Sequence, residues 1–288
     1  MNVVVIGGSG LVGTNAVERF EARGHEVTGT YHTNQMSTTQ VKLDKTDAEA
    51  VKACILDHDA DVVVDTAAFH AVDDCETDRT RAWNVNVQGT RNAVCAADAV
   101  DAHYIYVSTD YVFAGIPAEA PYDEEDSVNP LNYYAQVKYA GEQAAKIAEH
   151  HTIIRTSVVY GLASDNFLTW VLGELEAGNE VDIVDDQVSR PTYAPDLARA
   201  CTDICEDGIT GLYHATGPKS VSRYQFTTTL ADSLDMDPSL VSAITTEELG
   251  QEAPRPADSS LDSSSLYDEI DAEFQSPSKA FADVRSRT

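Results

Sequence analysis

The stretch GGSGLVG, residues 7–13, limits the fold of this chain more than any other part of the sequence. It follows the apolar run NVVVI, which predicts a buried strand, and it precedes a stretch with helical character. In such a strand–turn–helix unit, Gly7 permits a tight turn, Gly10 lets the backbone approach a pyrophosphate, and Gly13 lets the helix pack closely on the sheet. The N-terminus of the helix presents free N–H groups and the positive end of its dipole to the phosphates. A glycine pattern alone is weak evidence, but this context predicts a dinucleotide-binding loop.

Apolar strands and helix-like stretches alternate along the first half of the chain. The predicted strands span residues 2–6, 25–31, 60–68, 102–110 and 151–157. Three of them are nearly continuous apolar runs, which is typical of strands in a parallel sheet that is covered on both faces. The pattern therefore predicts an α/β fold with a Rossmann-like doubly wound parallel sheet and a smaller α+β substrate-binding region.

The regularity of this pattern weakens after Ser157, which indicates two parts of the chain with different tasks. Residues 1–157 are predicted to form a dinucleotide-binding domain, to which residues 181–208 return. Residues 158–180 and 209–288 are predicted to form the substrate-binding region, which closes over the sheet.

Tyr134 and Lys138 lie in a helix-like segment, YAQVK, at a spacing that places both side chains on one face of a helix. A phenol has a pKa near 10 and is a poor acid at neutral pH. A cation about 4 Å away contributes roughly 4 kcal/mol at an effective dielectric near 20, and one pH unit corresponds to about 1.4 kcal/mol. Lys138 is therefore expected to lower the pKa of Tyr134 by roughly two to three pH units, towards the range of a general acid. Ser108 and Thr109, at the end of the fourth strand, both offer a hydroxyl to a substrate carbonyl.

The charge of the chain bears on its partners and its compartment. There are 48 acidic and 19 basic residues, which give a formal net charge of -29. Such a polyanion is expected to avoid nucleic acid and anionic membranes. Its self-repulsion would be screened in molar salt, where the Debye length is roughly 3 Å, so a halophile protein is one interpretation and an ordinary acidic protein is the other. No apolar run of membrane-spanning length and no N-terminal signal occur, so the protein is expected to be cytoplasmic and to have no membrane partner.

The cysteines and histidines give no sign of a metal centre. The chain has 5 cysteines and 8 histidines, and their spacings match no metal-ligand pattern. No metal site is predicted.

The turn after the second strand, YHTNQ, bears on the choice of coenzyme. It carries neither an acidic residue for a ribose 2′-hydroxyl nor an arginine for a 2′-phosphate. His32, Thr33 and Asn34 are neutral groups that a 2′-phosphate would tolerate. NADPH is therefore the expected coenzyme, with some use of NADH.

The spacing G-x-x-G-x-x-G, together with Tyr134 and Lys138, resembles the extended short-chain dehydrogenase/reductase superfamily. Longer blocks are similar to the dTDP-4-dehydrorhamnose reductase family: YVSTDYVFAG, PYDEEDSVNPLNYYAQVKYAGE, IIRTSVVYG, DDQVSRPTYAPDLA, GLYHATG and RPADSSLD. The likeness extends over about residues 1–265. It implies an NAD(P)H-dependent reductase of a nucleotide-linked 4-keto-6-deoxy sugar, and it is compatible with a homodimer.

The resemblance also implies roles for individual residues. It makes Thr109 rather than Ser108 the catalytic hydroxyl, Tyr134 the proton donor, and Lys138 the partner of the phenol and of the nicotinamide ribose. Asn86 occupies a position where relatives have a structural or proton-relay asparagine. The implied cofactor-binding residues are Gly7, Gly10, Leu11, Val12, Gly13, His32, Asp44, Ala67, Ala68, Tyr134 and Lys138. The implied substrate-binding residues are Asp110, Tyr111, Arg155 and Asn166.

One loop departs from the family's Gln-x-Gly-x-Pro-Thr pattern. Here Ser189 replaces the glycine, and Arg190 precedes the proline. Arg190 is a candidate to bind a substrate diphosphate through two parallel hydrogen bonds. It is equally a candidate for a surface ion pair, so the sugar and the base of the substrate stay open.

Two other classes of function stay open. One is a sugar-nucleotide epimerase or dehydratase, which retains its cofactor and regenerates it. The other is a non-catalytic dinucleotide-binding subunit, like the regulatory subunit of methionine adenosyltransferase in the wider family. A net loss of NADPH on adding substrate would favour the reductase.

Overall fold

The computed structural model describes residues 1–270 and 273–287 of the chain. Its strands are β1 (Asn2–Ile6), β2 (Glu26–Tyr31), β3 (Val41–Lys42), β4 (Val62–Asp65), β5 (His103–Thr109), β6 (His151–Thr156), β7 (Val159–Tyr160), β8 (Val181–Val184), β9 (Val188–Ser189), β10 (Thr192–Tyr193), β11 (Gly211–His214), β12 (Val221–Ser222) and β13 (Val241–Ile244). Its α-helices are α1 (Leu11–Ala22), α2 (Ala48–Asp57), α3 (Val72–Thr77), α4 (Arg79–Trp83), α5 (Thr90–Asp98), α6 (Tyr133–Ala145), α7 (Phe167–Glu176), α8 (Ala194–Asp207), α9 (Arg223–Ser233), α10 (Thr246–Leu249), α11 (Ser264–Glu269) and α12 (Pro277–Arg287). Within these residues, no helix has both the length and the apolar character that crossing a membrane requires.

Seven strands form one parallel sheet in the order β11-β6-β5-β4-β1-β2-β3. The chain runs outward from β1 through β2 to β3 and then returns to the other side of β1 with β4. This reversal leaves a crevice beyond the carboxyl ends of β1 and β4, which is where open α/β sheets bind their ligands. The predicted Rossmann-like doubly wound parallel sheet is therefore confirmed.

All five predicted strands are present, but the sheet is wider than the sequence indicates. The third predicted strand, residues 60–68, is shorter as β4 because the backbone leaves the sheet after Asp65. Two further strands extend the edges, since β3 pairs with β2 and β11 pairs with β6. β3 has 2 residues and β11 has 4, so neither makes an apolar run long enough to identify from sequence. β11 lies within the stretch assigned above to the substrate-binding region, and the domain boundaries stay a prediction.

Apolar side chains cover both faces of this sheet. Val3 and Val5 of β1 face one layer, in which α1 and α8 pack together. Val4 faces the other layer, which contains α2 and α5. This alternation follows from the two-residue repeat of a strand. A third apolar cluster joins α7, α9 and α12 to β8 and β13 in the C-terminal half of the chain.

The helix that carries the YAQVK segment, α6, is fixed at the carboxyl edge of the sheet. Asn132 caps it: its side-chain oxygen accepts from the N–H of Ala135 at 2.9 Å, and its amide nitrogen donates to the carbonyl oxygen of Pro254 at 2.9 Å. The N–H of Tyr133 donates to Glu76 of α3 at 2.6 Å. Beside α6, a π-helical turn, Asn84–Gly89, interrupts the helical run between α4 and α5. Such turns are frequent at functional sites.

Candidate active site

The glycine loop has the geometry of an anion cradle. Gly7 has a φ of 87°, in the left-handed region that favours glycine. A Cβ on Gly13 would lie 2.1 Å from the carbonyl oxygen of Gly7, so the first turn of α1 rests directly on the loop. Gly10 precedes α1 and places no capping side chain over its first N–H groups. The loop therefore fits the pyrophosphate of a dinucleotide.

A cavity of about 450 Å³ opens at the carboxyl ends of the strands around β1, and its size is that of a small-molecule site. The implied cofactor-binding residues that line the cavity are Gly7, His32, Asp44, Ala67 and Ala68. The other implied cofactor-binding residues are not among those that line it: Gly10 precedes α1, residues 11–13 form its first turn, and Tyr134 and Lys138 lie on α6.

His32 and Asp44 form the wall of the cavity that follows β2 and β3. Their side chains are 63% and 53% exposed, and Nε2 of His32 lies 3.7 Å from Oδ2 of Asp44. The hydroxyl and the N–H of Thr46 donate to Oδ1 of Asp44 at 2.7 and 2.9 Å and lower the pKa of that carboxyl. Asp44 is therefore a carboxylate at neutral pH, able to accept from an adenine amino group, whereas His32 is able to donate to a phosphate.

The opposite wall of the cavity contains residues that the sequence does not single out. Cζ of Arg81 lies 4.5 Å from the centre of the Phe69 ring, and both residues line the cavity. Asn86 holds the backbone of Phe69, because its oxygen accepts from the Phe69 N–H at 2.8 Å and its nitrogen donates to the Phe69 carbonyl at 3.0 Å. Asn86 is also buried. Its contacts with the Phe69 backbone are structural ones. Arg81 lies in the first turn of α4, and Asp78 caps this helix by accepting from the Arg81 N–H at 3.0 Å. Asp is a common helix cap, but the sequence alone does not show that α4 begins beside the cavity.

Thr109 and Tyr134 meet at the carboxyl edge of the sheet. Thr109 ends β5 and Tyr134 lies in the first turn of α6. Burial raises the pKa of Tyr134, and the nearby Thr109 hydroxyl opposes the rise. The Thr109 hydroxyl donates to Oδ1 of Asp110 at 3.1 Å and accepts from the N–H of Tyr111 at 3.2 Å. The rings of Tyr111 and Tyr134 meet edge to face, with 6.2 Å between their centres. The arrangement presents two hydroxyls to one point, which is what polarising and protonating a carbonyl oxygen requires.

Lys138 is buried on α6, one turn after Tyr134. Its ammonium group donates to the carbonyl oxygen of Val107 at 2.7 Å and lies 4.1 Å from the centre of the Tyr106 ring. Burial, followed by the nearby charge of Lys45, lowers the pKa of Lys138 to about 7.

The expected lowering of the Tyr134 pKa by Lys138 is therefore wrong. Burial raises the pKa of Tyr134, and the Lys138 ammonium, directed at Val107 and only partly protonated at neutral pH, does not offset it. The phenol is consequently protonated at neutral pH, which is the form that a proton donor must have.

A second buried cation, Lys45, is among the residues that line the cavity. Nζ of Lys45 donates to both oxygens of Asp65, at 2.8 and 2.7 Å, and to the carbonyl oxygen of Ala67 at 2.9 Å. The hydroxyl of Tyr104 donates to the same carboxylate at 2.7 Å. This network fastens the segment after β3 to the end of β4. The sequence gives no signal for it, because Lys45 stands in the polar block KLDKTD, which is typical of an exposed loop.

Asp110 joins three separate parts of the chain. Its Oδ2 accepts from Ser157 at 2.7 Å and from Ser259 at 2.5 Å, while its Oδ1 accepts from Thr109. Burial raises the pKa of Asp110, and these three hydroxyls oppose the rise. The Asp110 carboxylate therefore accepts hydrogen bonds from protein hydroxyls and holds Thr109 in place. Of the two implied substrate-binding residues Asp110 and Tyr111, it is Tyr111 whose ring contacts Tyr134.

Arg155 is not brought to the cleft. Its Nε and Nη2 donate to the two carboxylate oxygens of Glu142, each at 2.9 Å, and these two side chains are 4% and 1% exposed. Ser108 donates to Glu142 at 2.6 Å, so it points away from the Thr109 side of β5. We therefore assign Arg155 an internal ion pair in place of the substrate contact that the resemblance implies.

Asn166 and Arg190 also make contacts within the protein. Asn166 caps α7, and its amide nitrogen donates to the carbonyl oxygen of Gly161 at 2.8 Å. Arg190 donates from Nη1 to the carbonyl oxygen of Leu261 at 2.8 Å and from Nε to the hydroxyl of Ser220 at 3.3 Å. Across residues 1–270 and 273–287, Arg190 has only such neutral acceptors and no ion pair.

Comparison with known proteins places this geometry in context. A family model described as the RmlD substrate binding domain matches residues 1–285. The chain is 33% identical over 258 residues to the dTDP-4-dehydrorhamnose reductase of Mycolicibacterium smegmatis, covering 88% of this chain and 76% of that protein. It is 32% identical over 273 residues to methionine adenosyltransferase 2 subunit beta of Xenopus tropicalis, covering 91% and 80%. The crystal structure of a dTDP-4-dehydrorhamnose reductase from Bacillus anthracis in complex with NADP is similar with a TM-score of 0.91 and 28% identity, covering 100% of this chain and 99% of that one.

Proposed function

Because the chain belongs to the RmlD substrate-binding domain family, we propose that it is an NADPH-dependent reductase of a nucleotide-linked 4-keto-6-deoxy sugar, like the dTDP-4-dehydrorhamnose reductases that it resembles. The observation that carries the proposal is the meeting of the Thr109 and Tyr134 hydroxyls at the sheet edge. The cavity at the carboxyl ends of the strands around β1 is lined by Gly7 of the glycine loop and is large enough for part of a dinucleotide.

The cofactor would lie along the crevice between β1 and β4. Gly7, Gly10 and Gly13 would hold the pyrophosphate, Asp44 the adenine, and His32 a 2′-phosphate. When bound, the reduced nicotinamide supplies the hydride for the keto carbon. The NADP in the similar Bacillus anthracis structure supports NADPH as the coenzyme, and NADH is the alternative.

Tyr134 donates the proton that completes the reduction. The substrate oxygen becomes an alkoxide as its carbon is reduced, and an alkoxide is a stronger base than a phenolate, so transfer from the phenol is favourable. The Thr109 hydroxyl donates to Asp110 in the structure and would turn to donate to the same substrate oxygen. Lys138, one helical turn from the phenol on α6, would hold the nicotinamide ribose.

Paired substitutions of neighbouring hydroxyls test the proposal. Tyr134→Phe and Thr109→Val should each reduce kcat by about 10²- to 10⁴-fold while NADPH still binds. Ser108→Ala is the matched control, because the adjacent hydroxyl faces Glu142 and not the site. The assay is the loss of NADPH absorbance with a panel of nucleotide-linked 4-keto sugars. Near-normal turnover by Tyr134→Phe would refute the role of the phenol.

A second candidate function is supported by the likeness to methionine adenosyltransferase 2 subunit beta. A non-catalytic subunit would bind NADPH and consume none of it with any sugar of the panel. A sugar-nucleotide epimerase or dehydratase would convert its substrate with no net loss of NADPH. The reductase would oxidise one NADPH for each sugar reduced, so one assay separates the three.

The proposal also includes a homodimeric state and a cytoplasmic location. A homodimer would appear as twice the mass of the chain in sedimentation or light scattering. A cytoplasmic location would place the enzyme with its nucleotide-linked substrate and would be checked by cell fractionation.

A further inference from the structure

Arg223 is held firmly at the start of α9. Its N–H donates to the carbonyl oxygen of Gln187 at 3.2 Å, and Ser222 before it caps the helix by accepting from the N–H of Gln225 at 3.0 Å. The side chain is half-buried, and Cζ of Arg223 lies 5.1 Å from the centre of the Phe167 ring on α7. The guanidinium therefore has a defined place between two elements of the C-terminal half.

This guanidinium has no carboxylate partner. Among residues 1–270 and 273–287, no Asp or Glu lies within 4.0 Å of it, whereas Arg155 and Arg255, for example, pair with Glu142 and Asp73. The chain has 48 acidic residues for 19 basic ones, so acceptors are plentiful. Charged groups withdrawn from water are normally paired. A half-buried arginine without an anion is thus suited to take one from solution.

The neighbours of Arg223 place it on the substrate side of the proton donor. Its charge acts on Tyr111 and on Asp110, and the ring of Tyr111 meets the ring of Tyr134 at 6.2 Å. Tyr111 therefore contacts both Arg223 and Tyr134. In a nucleotide-linked hexose, C1 carries the diphosphate and lies across the six-membered ring from C4. With C4 at Tyr134, the diphosphate lies one sugar ring away, and a sugar placed against Tyr111 would direct it to Arg223.

We propose that Arg223 binds the diphosphate of the nucleotide sugar and that Tyr111 contacts the sugar between Arg223 and Tyr134. The proposal rests on the reductase function proposed above. A guanidinium offers parallel N–H donors that match two phosphate oxygens. The Phe167 ring, whose centre lies 5.1 Å from Cζ of Arg223, attracts the guanidinium and keeps it at this position. Arg190, the candidate from the sequence, already donates to Leu261 and Ser220, so the diphosphate goes to Arg223.

Binding of nucleoside diphosphates tests the proposal with a control arginine near the opposite end of α9. Arg223→Gln removes the charge at the start of α9. Arg285 lies on α12, donates to the carbonyl oxygen of Ser233 at the end of α9 and pairs with Asp235, so Arg285→Gln removes an equal charge there. Isothermal titration of dTDP, UDP and GDP into the NADPH-saturated protein, at one salt concentration, should show affinity for at least one of them. That affinity should fall by about 10- to 100-fold in Arg223→Gln and stay unchanged in Arg285→Gln.

Further variants and ligands separate a phosphate contact from damage to the fold. Arg223→Lys keeps the charge but not the paired donors, so its affinity for the nucleoside diphosphate should lie between those of the unaltered protein and Arg223→Gln. The corresponding nucleosides, which carry no phosphate, should bind all variants equally, and NADPH affinity should be unchanged. In turnover, Arg223→Gln should raise KM for the sugar more than it lowers kcat, because the residue lies away from the reacting carbon.

The outcomes distinguish this proposal from the function on which it rests. Equal nucleoside diphosphate affinity in Arg223→Gln and the unaltered protein overturns the role of Arg223, and so does an absence of binding by the unaltered protein. NADPH oxidation with an unchanged KM in Arg223→Gln retains the reductase and rejects Arg223. Diphosphate binding through Arg223 without NADPH oxidation by any sugar retains the anion site and rejects the reductase.

Discussion

Replacing Glu142 with glutamine should destabilise the protein more than almost any other isosteric change. The Glu142 carboxylate accepts from Arg155 at 2.9 Å through each oxygen and from Ser108 at 2.6 Å. Glu142 lies on α6 with Tyr134 and Lys138, while Arg155 lies on β6. The ion pair therefore fastens α6, which carries the proposed proton donor, to the sheet.

The magnitude follows from the burial of both partners. The Glu142 and Arg155 side chains are 1% and 4% exposed, and Nη1 of Arg155 has no hydrogen-bond partner even with the pair intact. Glu142→Gln would leave the guanidinium charged, buried and poorly compensated, which costs about 3–5 kcal/mol. A domain has about 5–15 kcal/mol of stability in total, so the loss is a large fraction of it. Arg155→Met added to this variant removes the stranded charge and should restore most of the stability.

Equilibrium urea unfolding of the unaltered protein, both single variants and the double variant measures this effect. All four are compared at one pH and one salt concentration, and the cycle should give a coupling free energy of at least about 2 kcal/mol. A loss below about 1 kcal/mol in Glu142→Gln, or additive single effects, would refute the reasoning. Folded Arg155→Met should also keep KM for the sugar within about threefold, because Arg155 contacts Glu142 and not the cleft.

Other changes follow from contacts and pKa directions at particular residues. The pKa of Lys138 is lowered from 10.5 to about 7, so between these two pH values the unfolded chain keeps this proton and the folded protein has lost it. The free energy of unfolding should therefore rise with pH across that window, by at most about 1.4 kcal/mol per pH unit. Urea unfolding of Lys138→Met at several pH values should lack this slope. The pKa of His214 is lowered from 6.5 to about 3, chiefly by burial, so stability should fall as the pH drops through that range, and the acid unfolding of His214→Asn should be correspondingly less steep. Gly13→Ala should weaken NADPH binding at least about tenfold in a fluorescence titration, because its Cβ would lie 2.1 Å from the Gly7 carbonyl oxygen; unchanged affinity would contradict the close packing. The thermal unfolding midpoint should rise steeply up to molar KCl if the net charge of -29 is a halophile adaptation, and a midpoint independent of salt would favour an ordinary acidic protein.

The architecture is readable from the sequence because a few local features leave little choice. Val3, Val4 and Val5 follow one another in β1 and are all buried, which only a sheet covered on both faces allows. Gly7 needs a positive φ and Gly13 needs a missing side chain. Such requirements act within one short stretch, so they are visible before any tertiary contact is known.

The contacts of polar side chains are less accessible, since they depend on which distant element arrives opposite. Arg155 lies on β6, and the resemblance implies a substrate contact for it, yet its guanidinium pairs with Glu142 on α6. Lys138 has the spacing expected of a partner for Tyr134, but its ammonium donates to the carbonyl oxygen of Val107. Arg223 gives no signal in the sequence, because its distinguishing feature is that no carboxylate among the described residues pairs with it.

The hydrogen bonds of Asp110 affect the order in which this part of the protein is completed during synthesis. One of its two serine partners, Ser259, follows it by 149 residues. The nucleotide-binding strands up to β6 can assemble as they leave the ribosome, in keeping with N-terminal-first folding during synthesis. The hydrogen bond from Ser259 to Asp110 can form only after almost the whole polypeptide has been synthesised. A nascent or truncated chain that stops short of Ser259 therefore lacks one of the hydrogen bonds that hold Asp110 beside Thr109.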